Sequence, residues 1–258
     1  MKNPVSILLL LLIGGLMFNS CEDDKTVTPS VEKNYFPSTN GSYWIYTRTD
    51  VEGGQTKTTN DSTVISGSET IHGQMASKYS MYFDGTFNEN YFRYSNDSKL
   101  YALPSELLPS DLSNLIPDSL LPSNEWIVLA DDKKSSWEMF KFNIAELPFE
   151  VMGQTAKLNG VVTVKGIKGS TKNIDVSGSP LVAQEFTTRI SYVGKINIGG
   201  TDFNLTFDID TKNYYSDNIG LVYSETLEQT IMVDLGLAKI PYKIEESKRL
   251  LVRFNIVK

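Results

Sequence analysis

The chain has 258 residues, of which 31 are acidic and 24 are basic, so its formal net charge is −7. No cluster of lysine or arginine interrupts this acidic balance, and such clusters are what hold phosphate backbones, so nucleic-acid binding is excluded. Twelve phenylalanines, thirteen tyrosines and three tryptophans can supply a substantial apolar core.

The first residues have the pattern of an export signal. Lys2 precedes the apolar run 5–18, which is too short for a membrane-spanning helix, because such a helix needs about 20 apolar residues. Ser20 lies directly before Cys21, the only cysteine of the chain. We predict a lipoprotein signal peptide over 1–20, cleavage between Ser20 and Cys21, and a membrane anchor on the lipidated Cys21. The alternatives are an uncleaved anchor helix and an ordinary secretory signal.

Acidic residues follow this cysteine at once. Glu22, Asp23 and Asp24 resemble the surface-export signal of Bacteroidota lipoproteins, and a solvated spacer is the alternative interpretation. Residues 21–34 contain few apolar side chains, which is typical of a flexible acidic and polar tether. We expect a lipid-anchored protein of the cell envelope, at the outer membrane and exposed at the surface. The leaflet that holds the anchor stays open.

Short alternating runs dominate residues 35–258, which indicates a single β-rich domain. Turns are predicted at Gly53-Gly54, Asp84-Gly85, Asn96-Asp97 and Gly199-Gly200. About a dozen antiparallel strands are too many for one flat sheet, so we predict an all-β meander with a minor helix, curled into a half-barrel, a barrel or a two-layer sandwich. The predicted strands are Tyr43–Val51, Thr56–Ile65, Ala76–Phe83, Phe87–Tyr94, Lys99–Leu103, Trp126–Ala130, Trp137–Phe142, Val161–Lys168, Glu185–Ile198, Thr201–Asp210, Gly220–Glu228 and Leu250–Ile256.

Residues 104–124 depart from this pattern as a Pro/Leu-rich insertion. Four prolines forbid a continuous strand or helix, although Ser110 can cap one helical turn over 111–116. Seven Leu and Ile side chains in the segment must pack on something. The segment is therefore either a belt over an open sheet edge or a lid over an apolar cavity.

Residues for catalysis or metal binding are scarce. His72 is the only histidine and falls in a predicted turn, so the chain cannot supply a zinc site rich in His and Cys. A cysteine nucleophile is impossible once Cys21 carries lipid. Asp208-Ile209-Asp210 begins like a calcium loop, but Lys212 and Asn213 occupy positions that need an oxygen ligand and a glycine. We therefore predict no enzyme, no cofactor and no metal.

Three groups of residues carry a family resemblance. On them the chain resembles an uncharacterised family of Bacteroidota-type surface lipoproteins with a YFP…GxxWxY opening and an IGLV segment. The resemblance implies a β-rich extracytoplasmic domain and brings no catalytic residues. The segments are Tyr35-Phe36-Pro37 with Gly41–Tyr46, Trp126–Asp131 with Ser136-Trp137, and Tyr214-Tyr215-Ser216 with Ile219–Val222 and Glu225.

The residues of these segments also allow a purely structural interpretation. Trp44, Trp137 and Tyr215 are predicted core aromatics, and Gly220 is predicted to enter a strand with unusual backbone angles. In the strand Thr201–Asp210, apolar and polar residues alternate, which predicts one buried and one solvated face.

The leading functional hypothesis is a non-enzymatic, membrane-anchored envelope lipoprotein whose curled sheet binds an apolar ligand or a protein partner. The alternative is a surface glycan-binding or adhesion module, which requires Tyr79, Tyr82, Tyr91 and Tyr94 to be exposed on one sheet face. A hydrolase with two facing carboxylates is a third hypothesis, for which the sequence selects no pair.

Two short segments also resemble the Bacteroidota O-glycosylation acceptor, an aspartate followed by Ser or Thr and an apolar residue. They are Asp61-Ser62-Thr63 and Asp118-Ser119-Leu120, and both fall in segments predicted to be exposed. Patterns of three residues arise often by chance, so they identify no glycosylation site.

Overall fold

A computed structural model describes residues 33–107, 120–122, 125–151, 154–234 and 239–258, and most of this part of the chain is β-strand. Among these residues no helix is long and apolar enough to cross a membrane. The elements are β1 (Tyr43–Glu52), β2 (Gln55–Ile71), β3 (Gln74–Phe83), β4 (Thr86–Asn96), β5 (Lys99–Ala102), the 3-10 turn Pro104–Leu107, β6 (Ile127–Asp131), β7 (Ser136–Val151), β8 (Gln154–Val176), β9 (Ser179–Ile198), β10 (Thr201–Ser216), β11 (Gly220–Thr226), β12 (Gln229–Asp234), β13 (Lys239–Ile244) and β14 (Ser247–Asn255).

Twelve of these strands form one antiparallel sheet, in the order β6-β5-β4-β3-β2-β1-β14-β11-β10-β9-β8-β7. Its two end strands follow each other in the chain, and Trp137 Nε1 of β7 donates a hydrogen bond to Val128 O of β6 at 2.6 Å. The guanidinium of Arg93 on β4 lies close enough to Tyr215 on β10 to influence the pKa of its phenol, although five strands lie between them in the sheet. The sheet therefore curls until its edges approach, which confirms the all-β class and selects a nearly closed barrel over a two-layer sandwich.

Two-residue turns join several neighbouring strands. Gly53-Gly54, Asp84-Gly85 and Gly199-Gly200 each have positive φ at both residues, for example 58° and 78° in the first pair. Such turns match the right-handed twist of the strands they connect. His72-Gly73 forms a similar turn between β2 and β3. The turns predicted at these positions are confirmed.

Several strands are longer than predicted, most clearly β8. It covers Gln154–Val176, where only Val161–Lys168 was predicted. Glycine is a poor strand residue, yet pairing with β9 continues past Gly166, and it resumes at Thr171 after a register shift that includes Gly169. A Cβ added to Gly166 would overlap the indole of Trp137, its cross-strand partner. This glycine therefore leaves room for a neighbour and does not end the strand.

A small second sheet, β12 paired with β13, was not predicted. The sequence carries only a weak signal for it, because Ile231 and Val233 lie on one face of the strand but are separated by the apolar Met232. Both side chains are buried in the core, and Ile240 and Ile244 of β13 pack against the same cluster. The hairpin therefore adds apolar cover to the side of the core built by β7–β10.

Three clusters of apolar side chains form the core. The first lies mainly on β7–β10 and β12, and the second lies on β1–β3, β11, β14 and the β8–β9 hairpin. The third joins Tyr35 and Phe36, which precede β1, to Phe186 and Tyr215 and to residues of β5 and β6. Trp44 and Tyr215 are buried as predicted, and Trp137 is half-buried against the third cluster.

The described ends of the Pro/Leu-rich segment pack on the core. Leu107 packs against the first and third clusters, and Leu120 packs against the first, where Leu121 is buried. The predicted helical turn and its cap fall on residues 108–119, which lie outside the described residues together with 123–124. At both described ends the segment therefore covers core side chains.

Candidate functional site

A charged pair lies inside the curled sheet. Arg93 of β4 and Glu106 of the 3-10 turn approach to 3.3 Å between Nε and Oε2, and their side chains are 21% and 12% exposed. The other carboxylate oxygen accepts a hydrogen bond from the N–H of Phe92 at 3.1 Å. Burial raises the pKa of the Glu106 carboxyl above its ordinary value, and the Arg93 guanidinium and the Phe92 N–H only partly offset that effect.

Tyrosine rings surround this pair. The rings of Tyr79 and Tyr91 stack at 5.0 Å between centroids, and the Arg93 guanidinium lies over the Tyr91 ring at 4.6 Å. The Tyr79 hydroxyl donates to Pro37 O, in the segment before β1. Burial raises the pKa of the Tyr79 and Tyr215 phenols, which keeps both rings neutral. We call the face that carries Arg93 and Tyr79 the inner face of the sheet.

A second charged pair lies on the inner face of β2 and β14. Arg249 Nε is 3.4 Å from Asp61 Oδ2, and the guanidinium lies 3.9 Å from the centroid of the Tyr46 ring. Asp61 is 1% exposed, and burial raises the pKa of its carboxyl although Arg249 opposes this. Its Oδ1 atom has no hydrogen-bond partner in the described structure. The prediction that the Asp61-Ser62-Thr63 segment is exposed is therefore wrong at Asp61, and Thr63 is also buried.

The charges of this inner cluster cancel one another. Arg48 Nε lies 2.8 Å from Asp50 Oδ2, which adds a third pair to Arg93–Glu106 and Arg249–Asp61. Three guanidinium groups therefore face three carboxylates, and each pair offsets part of the cost of removing its charges from water. The pairs connect β2 to β14 and β4 to the 3-10 turn. This inner charge cluster serves to fasten the chain, and no reacting group is assigned to it.

The residues before β1 close the interior from one side. Asn34 is held through its N–H by Asp217 Oδ1 at 2.7 Å and through its carbonyl oxygen by the N–H of Asn218, also at 2.7 Å. Tyr35 and Phe36 then insert their rings beside Phe186, with centroids 6.1 and 6.4 Å away. Aromatic side chains thus occupy the space in which the sequence placed an apolar ligand.

A cavity of about 270 Å³ lies at the ends of β3 and β4. Its lining is mostly polar, with side chains that carry hydroxyl and amide groups. The predicted apolar ligand gains no support from a lining of this kind. The residues around the cavity are Ser38, Gln74, Met75, Ser77, Tyr94, Ser95 and Asn96.

The four tyrosines expected to form an exposed row do not share one face. Tyr79 is buried, and Tyr91 stacks on it inside the sheet. Tyr94 alternates with Arg93 and so lies on the outer face, where it stacks on Tyr101 at 4.3 Å. The expected row therefore divides between the interior and the outer surface.

The structure brings two carboxylates together that the sequence did not select. The hydroxyl of Tyr214 lies 3.0 Å from Glu185 Oε2 and 3.5 Å from Glu225 Oε1. Thr187 and Tyr223 donate to the remaining oxygens of the two carboxylates, at 3.0 and 2.9 Å. Hydroxyl groups thus hold both carboxylates, and Tyr214 fills the space between them.

The residues predicted for lipidation and export lie outside the described residues. They are the cleavage pair Ser20 and Cys21 and the acidic residues Glu22, Asp23 and Asp24. Asp210, from the segment compared with a calcium loop, accepts two hydrogen bonds from Arg189 at 2.7 and 2.6 Å. His72 is exposed in its turn.

The raised pKa of Glu106 predicts a pH dependence of stability. Because the folded protein holds the Glu106 proton more tightly than the unfolded chain, stability from this group is present at low pH. This stability is lost as pH rises from the pKa of Glu106 in the unfolded chain, about 4.3, through its higher pKa in the folded protein. Glu106→Gln does not titrate, so its free energy of unfolding should improve relative to the wild type as pH rises through this window. Urea denaturation at a series of pH values measures the difference, and a constant difference would contradict the prediction.

No family model matches this chain, and no curated protein matches it. The chain is similar to a solved protein of Parabacteroides distasonis described as a lipoprotein, with 12% identity and a TM-score of 0.46 over 86% of this chain and 99% of that one. It is also similar to an exported protein with a YmcC-like fold from Bacteroides fragilis, with 11% identity and a TM-score of 0.42 over 87% and 100%. With TM-scores under one half, these similarities assign neither a family nor a function to this chain.

Proposed function

We propose that this protein is a lipid-anchored, non-enzymatic binding protein of the cell envelope. The observation that carries the proposal is the filled interior. Aromatic rings occupy it, and its three arginines are paired with three carboxylates. In the part of the interior that the described residues form, rings fill the space beside Phe186 and each of these arginines has a carboxylate partner, which supports a partner that binds at the rim or on the outer surface of the sheet.

The anchor rests on the position of the only cysteine. Cys21 follows the apolar run of the signal after only Asn19 and Ser20, and the second compact unit begins at Lys33. The eleven residues between them span at most about 40 Å when extended. A chain of this length keeps the folded unit close to the membrane surface, where an envelope partner is within reach.

A Cys21→Ser variant tests the anchor. Because Cys21 lies outside the compact unit, we expect the variant to fold like the wild type while it loses its lipid. Without lipid on Cys21 the signal stays uncleaved, and its apolar run can hold the variant at the membrane, so incorporation of labelled fatty acid is measured instead of location, and circular dichroism of the purified protein checks the fold. A wild type that incorporates no fatty acid, or a variant that incorporates as much as the wild type, would overturn the lipid anchor on Cys21.

Surface display is tested with the acidic residues that follow the cysteine. Protease added to intact cells should remove the wild-type domain. Replacing Glu22, Asp23 and Asp24 with alanine should protect the domain while the protein stays in the membrane fraction. Equal cleavage of both proteins would assign these residues to a spacer.

A surface glycan-binding module is the second candidate function. The observation that favours it is the polar cavity at the ends of β3 and β4, whose lining side chains carry no charge. A protein partner on the outer surface remains the first candidate, because binding of a protein to that surface does not require a cavity.

A further inference from the structure

The sheet contains a split between two neighbouring strands. Pairing of β3 with β4 ends at Ser77↔Arg93, but both strands continue beyond this pair. Residues 74–76 remain paired with β2, and residues 94–96 remain paired with β5. The two stretches therefore face each other without pairing, although all of these residues are described. We propose that this split binds a neutral sugar unit, such as the terminal residue of an envelope or host glycan.

The side chains at the split define the ligand class. Six of the residues that line the 270 Å³ cavity carry hydroxyl or amide groups: Ser38, Gln74, Ser77, Tyr94, Ser95 and Asn96. None of the lining side chains is charged, so a charged ligand would lose its hydration without a counter-charge. A ligand with several hydroxyl groups can donate hydrogen bonds to these hydroxyl and amide groups and accept hydrogen bonds from them.

The main chain adds hydrogen-bonding groups of its own. Each strand uses one edge for its outer neighbour, so N–H and C=O groups on the other edge point into the split. Such groups are costly to leave without partners when water is removed. A sugar hydroxyl can take either role, and it therefore suits a mixed row of donors and acceptors.

Neighbouring contacts keep the split in place. Trp126 donates from Nε1 to Ile71 O at 3.1 Å, at the end of β2, and its ring meets Tyr94 edge to face at 4.9 Å. Ser77 Oγ donates to Ser38 O at 3.3 Å. These contacts hold both walls before a ligand arrives, which lowers the entropic cost of binding.

An apolar side chain lies at the mouth of the cavity. Met75 is 66% exposed, which is unusual for a methionine, and it can pack on the carbon–hydrogen face of a sugar ring. The cavity is slightly smaller than typical small-molecule sites of about 300–1,000 Å³. Its volume therefore suits one sugar unit and not a long glycan segment.

The sugar site is a more specific form of the second candidate function, a surface glycan-binding module, and it rests on that function only for the location of binding. The test uses the lipidated protein in a detergent without a sugar headgroup. Glucose, galactose, mannose and N-acetylglucosamine are added in turn, and saturation-transfer difference NMR detects contact. At least one sugar should show transfer, and Gln74→Ala combined with Asn96→Ala should weaken its binding roughly tenfold.

Gln55→Ala combined with Asn88→Ala is the matched control. It removes the same two side-chain types from exposed positions on β2 and β4, away from the split. This control should bind like the wild type. An absence of transfer from all four sugars, or equal binding by both double variants, would overturn the sugar site. Neither result affects the anchor, which fatty-acid labelling of the wild type and Cys21→Ser tests separately.

Discussion

Replacing Arg93 with alanine is expected to lower the free energy of unfolding by about 3–5 kcal/mol at neutral pH. The change leaves the Glu106 carboxylate inside the sheet with one N–H donor from Phe92 and without its cationic partner. It also removes the guanidinium from the Tyr91 ring. An unpaired buried charge is more costly than the loss of a pair, so most of the effect should come from Glu106. Urea denaturation followed by circular dichroism measures the loss.

Two comparisons separate the unpaired charge from lost packing. Arg93→Met combined with Glu106→Leu removes both charges and keeps much of the volume, so this double variant should recover most of the stability. Lys157→Ala breaks the exposed pair with Glu146 and should change stability by less than about 1 kcal/mol. The decrease in the free energy of unfolding caused by Arg93→Ala should also be smaller in acid, where Glu106 takes up a proton. A double variant no more stable than Arg93→Ala would contradict this explanation.

Much of the fold could be predicted because its signals are local. The turns at Gly53-Gly54, Asp84-Gly85 and Gly199-Gly200 require positive φ, and glycine or aspartate supplies it within the turn itself. The alternation of apolar and polar residues on β10 also predicts which side chains are buried: Leu205 and Ile209 are buried, while Thr206 is exposed. Each of these signals depends only on neighbours in the sequence.

The inner charge cluster could not be predicted, because its members are distant in the sequence. Arg93 meets Glu106 across a proline-containing segment and meets Tyr215 across the interior. Asp61 was expected to be exposed because of a three-residue motif. Its alternation with Thr63 and Ile65, which are both buried, would have been the better signal.

The split between β3 and β4 also has no sequence signature. Gln74 and Asn96 look like ordinary polar residues at strand ends, and each strand remains paired on its other side. Only the three-dimensional structure shows that pairing stops at Ser77↔Arg93 while both strands continue. A candidate site formed where two strands stop pairing can therefore be found only when the register of the sheet is known.

The second large effect is expected at Gly166, which lies opposite Trp137 in the β7–β8 pair. A Cβ at this glycine would overlap the Cε2 and Cζ2 atoms of the indole. The same indole donates the hydrogen bond to Val128 O that joins the two end strands of the sheet. Gly166→Ala should therefore displace the ring, break this bond and lower the free energy of unfolding by about 2–4 kcal/mol.

The sign of the Gly166→Ala effect should reverse in a Trp137→Ala background. Without the indole the three atoms nearest to the methyl group are gone, and alanine orders a strand at lower entropic cost than glycine. The substitution should then raise stability by about 0.5–1 kcal/mol. A double-mutant cycle by urea denaturation measures both effects, with Trp137→Phe to isolate the contribution of the N–H donor. If Gly166→Ala were destabilising in both backgrounds, the glycine would be needed for its backbone, and the closure of the sheet would not depend on the space it leaves for Trp137.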